Sequence, residues 1–102
     1  MGNSVIIKAG IARRIDPKTG ADKGSVGSSN VVDAASDGDY IVLVYSNGTA
    51  RRYDANSGAN KGTVGLSNIK TCSISSGITI LIYAKGASRR YDTRTGTDKG
   101  SV

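Results

Sequence analysis

The sequence predicts an all-β chain built from one repeated four-stranded unit, and three observations carry that prediction. Arg13-Arg14-Ile15-Asp16 recurs as Arg51-Arg52-Tyr53-Asp54 and again as Arg89-Arg90-Tyr91-Asp92, 38 residues apart each time. Identity across the repeat is 11 of 18 positions between 13–30 and 51–68, and 10 of 14 between 13–26 and 89–102. Between these markers lie short apolar runs separated by turn signals of the Asp-Gly, Asn-Gly and Asx-x-x-Thr/Ser-Gly kind, the punctuation of consecutive strands.

The unit is read most completely from 31 to 68. Val31 to Ser36 is a short strand of small residues, and Asp37-Gly38 is a turn. Tyr40-Ile41-Val42-Leu43-Val44-Tyr45 is an unbroken β-branched and apolar run bounded by turns, which predicts a strand covered on both faces. Ser46-Asn47-Gly48 is a hairpin signal, because Asn-Gly readily takes the positive φ of a tight turn. Thr49 to Asp54 is the third strand. Asp54-Ala55-Asn56-Ser57-Gly58 is a turn in which the carboxylate accepts backbone N–H groups and Gly takes the left-handed position. Asn60 to Val64 is the fourth strand, and Gly65 to Asn68 leads to the next unit.

Four short strands repeated at this period form the pattern of a β-propeller blade. The turns Asp16-Pro17-Lys18-Thr19-Gly20, Asp54-Ala55-Asn56-Ser57-Gly58 and Asp92-Thr93-Arg94-Thr95-Gly96 make the chain resemble WD40 and quinoprotein-like blades over nearly its whole length. The resemblance implies a β-propeller-like fold. It implies no quinone cofactor, because Lys23-Gly24, Lys61-Gly62 and Lys99-Gly100 stand where quinoprotein blades place a docking Trp. No cofactor is expected.

The division is a partial blade at 1–30 and full blades at 31–68 and 69–102. The partial blade enters at Val5-Ile6-Ile7, which aligns with the second strand of the unit. The count is therefore three, four and four strands. Rings usually hold about four to eight blades, and an open stack exposes apolar blade faces. Closure by a second copy, giving six blades in a homodimer, is the expected resolution.

Composition bounds the chemistry. The 102 residues contain no His, Trp or Phe and a single Cys, Cys72. An intrachain disulfide, a multi-Cys zinc site and the usual catalytic triads are excluded. No catalytic or metal-ligating residue is expected: a nucleophilic Cys72 would need a positioned base, and Asp16, Asp37 and Asp39 do not match a calcium loop. Cys72 reads as a small core residue. There are 14 Lys and Arg against 8 acids, all of them Asp, so an anionic partner is favoured. No run is long enough for a membrane-spanning helix, and the start of the chain lacks a secretory layout. A cytoplasmic protein is the expectation.

The candidate functional residues come from the repeat. Strand alternation puts Arg13 with Ile15, Arg51 with Tyr53 and Arg89 with Tyr91 on one face. Arg13, Arg51, Arg89, Tyr53 and Tyr91 are the candidate ligand set, radially repeated guanidinium groups suited to phosphate or carboxylate. The structural alternative is that the tyrosines simply pack. On the other face, Arg14, Arg52 and Arg90 are expected to pair with Asp16, Asp54 and Asp92 on the same or an adjacent blade. Lys23, Lys61 and Lys99 lie on the outermost strand, where Lys guards an open edge. The sequence thus supports a non-enzymatic, self-assembling binding or scaffold module. A lectin-like glycan binder, a basic nucleic-acid or nucleotide binder, and a propeller fragment or designed repeat without a ligand remain the alternatives.

Overall fold

A computed structural model describes residues 4–102. It contains eleven strands and, among the described residues, no helix. They are β1 (Ser4–Lys8), β2 (Ile11–Ile15), β3 (Asp22–Val26), β4 (Val31–Ser36), β5 (Tyr40–Tyr45), β6 (Ala50–Asp54), β7 (Asn60–Val64), β8 (Ile69–Ser75), β9 (Ile78–Tyr83), β10 (Ser88–Asp92) and β11 (Asp98–Ser101). They form one three-stranded and two four-stranded antiparallel sheets, in the orders β1-β2-β3, β4-β5-β6-β7 and β8-β9-β10-β11. Each sheet is a meander whose strand order follows the chain.

The sheets pack face to face through two apolar junctions. At the first, Ala12 and Val26 of the first sheet, with Val5 at the margin, meet Val31, Ile41, Leu43, Tyr45, Tyr53 and Ala55 of the second. At the second, Val42, Val44, Ala50 and Val64 meet Ile69, Leu81 and Tyr91, with Cys72, Ile74 and Tyr83 beside them. The middle sheet is therefore covered twice. Ile41 to Tyr45 are all buried, as an unbroken apolar strand requires. The outer sheets are covered on one face only, so β9 alternates in burial and Ile82 is 43% exposed where its counterpart Val44 is 0%.

Val5-Ile6-Ile7 forms the counterpart of the second strand, and its register departs from the 38-residue spacing. By the 38-residue spacing, Val5 should occupy the place of Leu43. Instead Val5 pairs with Arg14 and Ile7 with Ala12, as Val42 pairs with Arg52 and Val44 with Ala50. The reason is the hairpin. Ala9 (φ 52°) and Gly10 (φ 78°) make a two-residue turn, shorter than the turn that Tyr45 N–H closes onto the Thr49 carbonyl at 2.8 Å. A one-residue slip exchanges the faces of a whole strand. Val5 turns toward the second sheet, Ile6 toward the open side, and Lys8 takes the position that Tyr45 and Tyr83 hold in the other sheets.

Candidate functional site

The three Arg-Arg pairs divide into two structural sets. In each sheet the fourth strand of the unit carries a bulge, with Lys23, Lys61 or Lys99 as its extra residue, opposite the step that follows the second Arg of the third strand. That step lies between Arg14 and Ile15, between Arg52 and Tyr53, and between Arg90 and Tyr91. Opposite each Arg sits the Gly of a Lys-Gly pair: Gly24 (φ 113°), Gly62 (φ 107°) and Gly100 (φ 102°). The positive φ and the closeness of the guanidinium explain the Gly. A Cβ at Gly62 would lie 3.3 Å from Arg52 Nη2. Each Arg then donates from Nη2 to the carbonyl of the adjoining Lys, at 2.8 Å for Arg14 to Lys23, 2.7 Å for Arg52 to Lys61 and 3.0 Å for Arg90 to Lys99.

The other end of the guanidinium crosses to the next sheet. Arg14 Nη1 donates to the Asn56 carbonyl at 2.6 Å. Arg52 Nη1 donates to the Thr93 and Arg94 carbonyls at 3.2 and 2.7 Å. Both acceptor groups belong to the Asx turn of the following unit. The expected pairing of Arg14, Arg52 and Arg90 with Asp16, Asp54 and Asp92 is therefore corrected: all three arginines donate to carbonyls, and Arg14 and Arg52 bridge blades by doing so. The carboxylates are spent on their own turns. Asp16 Oδ1 accepts from Lys18 N–H at 2.8 Å, Asp54 Oδ1 from Asn56 and Ser57 N–H at 2.7 and 3.0 Å, and Asp92 Oδ1 from Arg94 N–H at 2.9 Å. The backbone donors to Asp54 hold its carboxyl below the usual carboxylate range.

Of the first arginines, Arg51 and Arg89 face inter-blade grooves. Arg13 Nε donates to Asp22 at 2.6 Å and Arg89 Nε to Asp98 at 2.9 Å. Each Arg, with the Gly24 or Gly100 N–H, depresses its partner's carboxyl. At the matching place in the middle sheet stands Asn60, whose Oδ1 still accepts from Gly62 N–H at 2.8 Å but carries no charge. Arg51 therefore has no carboxylate partner among the described residues. It lines a pocket of about 360 Å³ with Asn30, Tyr45, Asn47, Thr49 and Thr63. A groove of about 260 Å³ occupies the equivalent place one unit later, lined by Asn68, Tyr83, Lys85, Ala87 and Arg89. The same fold position thus yields a polar pocket over a free guanidinium and a more apolar one over a neutralised guanidinium.

Of the candidate ligand set, Arg51 and Arg89 line these grooves, and Arg13 is tied to Asp22. Tyr53 and Tyr91 do not reach a groove. They are 4% and 3% exposed, and their hydroxyls meet those of Tyr45 and Tyr83 at 2.6 Å. Tyr45 and Tyr83 accept in turn from the Ser28 and Leu66 N–H, both at 3.2 Å. Burial and the paired hydroxyl push the Tyr53 and Tyr91 phenols upward. The groove tyrosines are Tyr45 and Tyr83. The sequence signal for this was present in the 38-residue match of Tyr45 with Tyr83 beside that of Tyr53 with Tyr91. The signal for the Arg13–Asp22 and Arg89–Asp98 pairs was the nine-residue spacing from Arg to Asp in each unit, broken only at Asn60.

Cys72 lies on the innermost strand of the third sheet. Its N–H donates to Asp33 Oδ2 on the neighbouring innermost strand at 3.0 Å, and its thiol lies 3.7 Å from the Val42 carbonyl. Burial, and secondarily the Asp33 carboxylate, pushes the thiol up to about 12. It stays protonated at neutral pH and offers no nucleophile. Lys23, Lys61 and Lys99 are exposed on edge strands. No helix among the described residues is long and apolar enough to cross a membrane.

The stacked meanders match solved structures. The chain is similar to BamB from Moraxella catarrhalis (TM-score 0.76, 25% identity), covering 99% of this chain and 33% of that one. It is similar also to the computationally designed Ika4 protein (TM-score 0.74, 21% identity), covering 100% of this chain and 68% of that one. The same holds for Saccharomyces cerevisiae Sqt1 (TM-score 0.69, 11% identity), at 91% and 28%. The fold is a partial β-propeller. The chain spans about a third of the length of BamB. No protein-family model and no curated protein sequence matches it.

Proposed function

We propose that the chain is a non-enzymatic propeller module that closes its ring with a second copy and offers the Arg51 pocket to a small anion. One observation carries the assembly. Positions that are buried wherever two blades meet are exposed where the stack ends. Ala55 and Thr93 are 0% exposed, whereas their counterpart Pro17 is exposed. Val44 is 0% exposed and Ile82 43%. Covering such apolar surface is worth about 25 cal/mol per Å², and a head-to-tail interface either closes or grows. The expected solution mass is twice the 10.5 kDa of one chain. Light scattering across a dilution series checks it, and a single-chain mass at tens of micromolar overturns the assembly.

The pocket supports the binding half of the proposal. Arg51 offers bidentate donors to a carboxylate or phosphate, and the surrounding hydroxyl and amide groups suit a hydroxylated ligand. Titration with glucose 6-phosphate and with glucuronate, followed by NMR, is expected to shift residues around Arg51 and to do so less as salt rises. Loss of the shift in Arg51→Gln is the supporting result. Binding of neutral glucose that is indifferent to salt and to Arg51→Gln would replace the anion reading with a glycan one.

A further inference from the structure

Arg14 and Arg52 each span a blade junction, and Arg90 has the same anchor without the far half. It sits at the same bulge, opposite the same kind of Gly, and donates to the Lys99 carbonyl at 3.0 Å. Yet Arg90 is exposed, whereas Arg52 is 7% exposed. No hydrogen bond from Arg90 crosses to another sheet among the described residues. At the opposite end of the stack, the turn Asp16 to Gly20 repeats the acceptor geometry. Gly20 N–H closes onto the Asp16 carbonyl at 2.8 Å, as Gly58 closes onto Asp54 and Gly96 onto Asp92. Asp16 caps the turn as Asp54 and Asp92 cap theirs.

The two seats that are filled show what is missing. A Cβ built at Gly58 would lie 3.4 Å from Arg14 Nε, and one at Gly96 3.2 Å from Arg52 Nε. At Gly20 (φ 77°) nothing lies within 4 Å. The Lys18 carbonyl, the counterpart of the Asn56 and Arg94 carbonyls, receives no hydrogen bond among the described residues. One end of the molecule thus presents a guanidinium without its turn, and the other presents the turn without its guanidinium.

We infer that Arg90 of one copy docks on the Asp16–Gly20 turn of a second copy, donating to the Lys18 carbonyl and lying across Gly20. The interface is heterologous: its two sides are different surfaces of the same chain. The occupant is a second copy because the junction already exists twice inside the chain with the same parts. Its apolar floor is supplied by Ile80 and Ile82 on one side and Ile6 and Ile15 on the other, in the places of Val42, Val44, Leu43 and Tyr53. This rests on the self-assembly proposed above and specifies its contact.

The test compares the dissociation constant of the assembled protein, by sedimentation equilibrium, across variants. Arg90→Ala is expected to raise it at least about tenfold, because one charge-assisted hydrogen bond is lost at each junction. Gly20→Asn, which keeps a residue tolerant of positive φ but fills the seat, is expected to do the same. Mixing Arg90→Asp chains with Gly20→Asn chains should yield a two-chain species joined at the one intact junction, which neither variant forms alone. If Ile82→Asp separates the copies while Arg90→Ala and Gly20→Asn bind as tightly as the parent, assembly stands and the Arg90 contact is overturned. A parent chain that is monomeric throughout overturns both. Circular dichroism showing that each variant keeps its β spectrum excludes unfolding as the cause.

Discussion

Replacing Arg52 with Ala should cost the fold about 3 kcal/mol, an effect that follows from three hydrogen bonds and their burial. Arg52 is 7% exposed, and its guanidinium donates to the Lys61, Thr93 and Arg94 carbonyls. Hydrogen bonds from a charged donor contribute about 1.5–3 kcal/mol each. Their sum is an upper bound for two reasons. Nη1 is shared between two acceptors, and Nε is buried without a partner among the described residues, so removing the side chain also removes a desolvation cost. Left behind are the buried Thr93 carbonyl and the part-buried Arg94 and Lys61 carbonyls, with a cavity where the side chain lay. Arg52→Lys should recover little, since one ammonium cannot span carbonyls on two sheets. The assay is urea unfolding followed by far-ultraviolet circular dichroism at one fixed low protein concentration, because association itself adds stability. The comparison is Arg90→Ala, whose exposed side chain should cost the single chain about 0–1 kcal/mol. If Arg52→Ala costs less than about 1 kcal/mol, or costs the same as Arg90→Ala, the arginine bridge does not hold the blades together.

Two further predictions test the same architecture. Gly62→Ala should destabilise by about 1–3 kcal/mol, because φ is 107° and the new Cβ would press on Arg52 at 3.3 Å; thermal unfolding checks it, with Gly77→Ala, where nothing lies within 4 Å, as the milder comparison. The folded chain should also lose stability in alkali: the Tyr53 and Tyr91 phenols are raised above their ordinary value of 10.0, so the unfolded state releases its protons first, and stability present below about pH 10 falls as pH rises beyond it. Tyrosinate absorbance that appears together with loss of the β spectrum is the expected result, and Tyr53→Phe should blunt the transition.

The sequence by itself determined the repeat, the strand count and the order of strands within each sheet, because each of these is local. Turn residues such as Asn47-Gly48 set where the chain reverses, and the run Ile41 to Val44 requires cover on both sides. It also marked Arg14, Arg52 and Arg90 as structural, but it could not name their acceptors. By strand alternation a carboxylate two residues away is the nearer partner, and only the packed sheets show that Asp16, Asp54 and Asp92 are consumed by backbone N–H groups while the Arg14 and Arg52 guanidinium groups reach carbonyls 41 or 42 residues on. Tyr53 and Tyr91 were legible as repeated aromatics, yet their burial behind Tyr45 and Tyr83 is a matter of how two strands pair. The slip of β1 was hidden for the same reason: a shorter hairpin at Ala9-Gly10 moves the strand one residue, and the face that Val5 presents is decided by that register. Local chemistry writes the strands and turns. Which side chains meet across 38 residues is decided by the distance between sheets and by which polar groups each turn has already used.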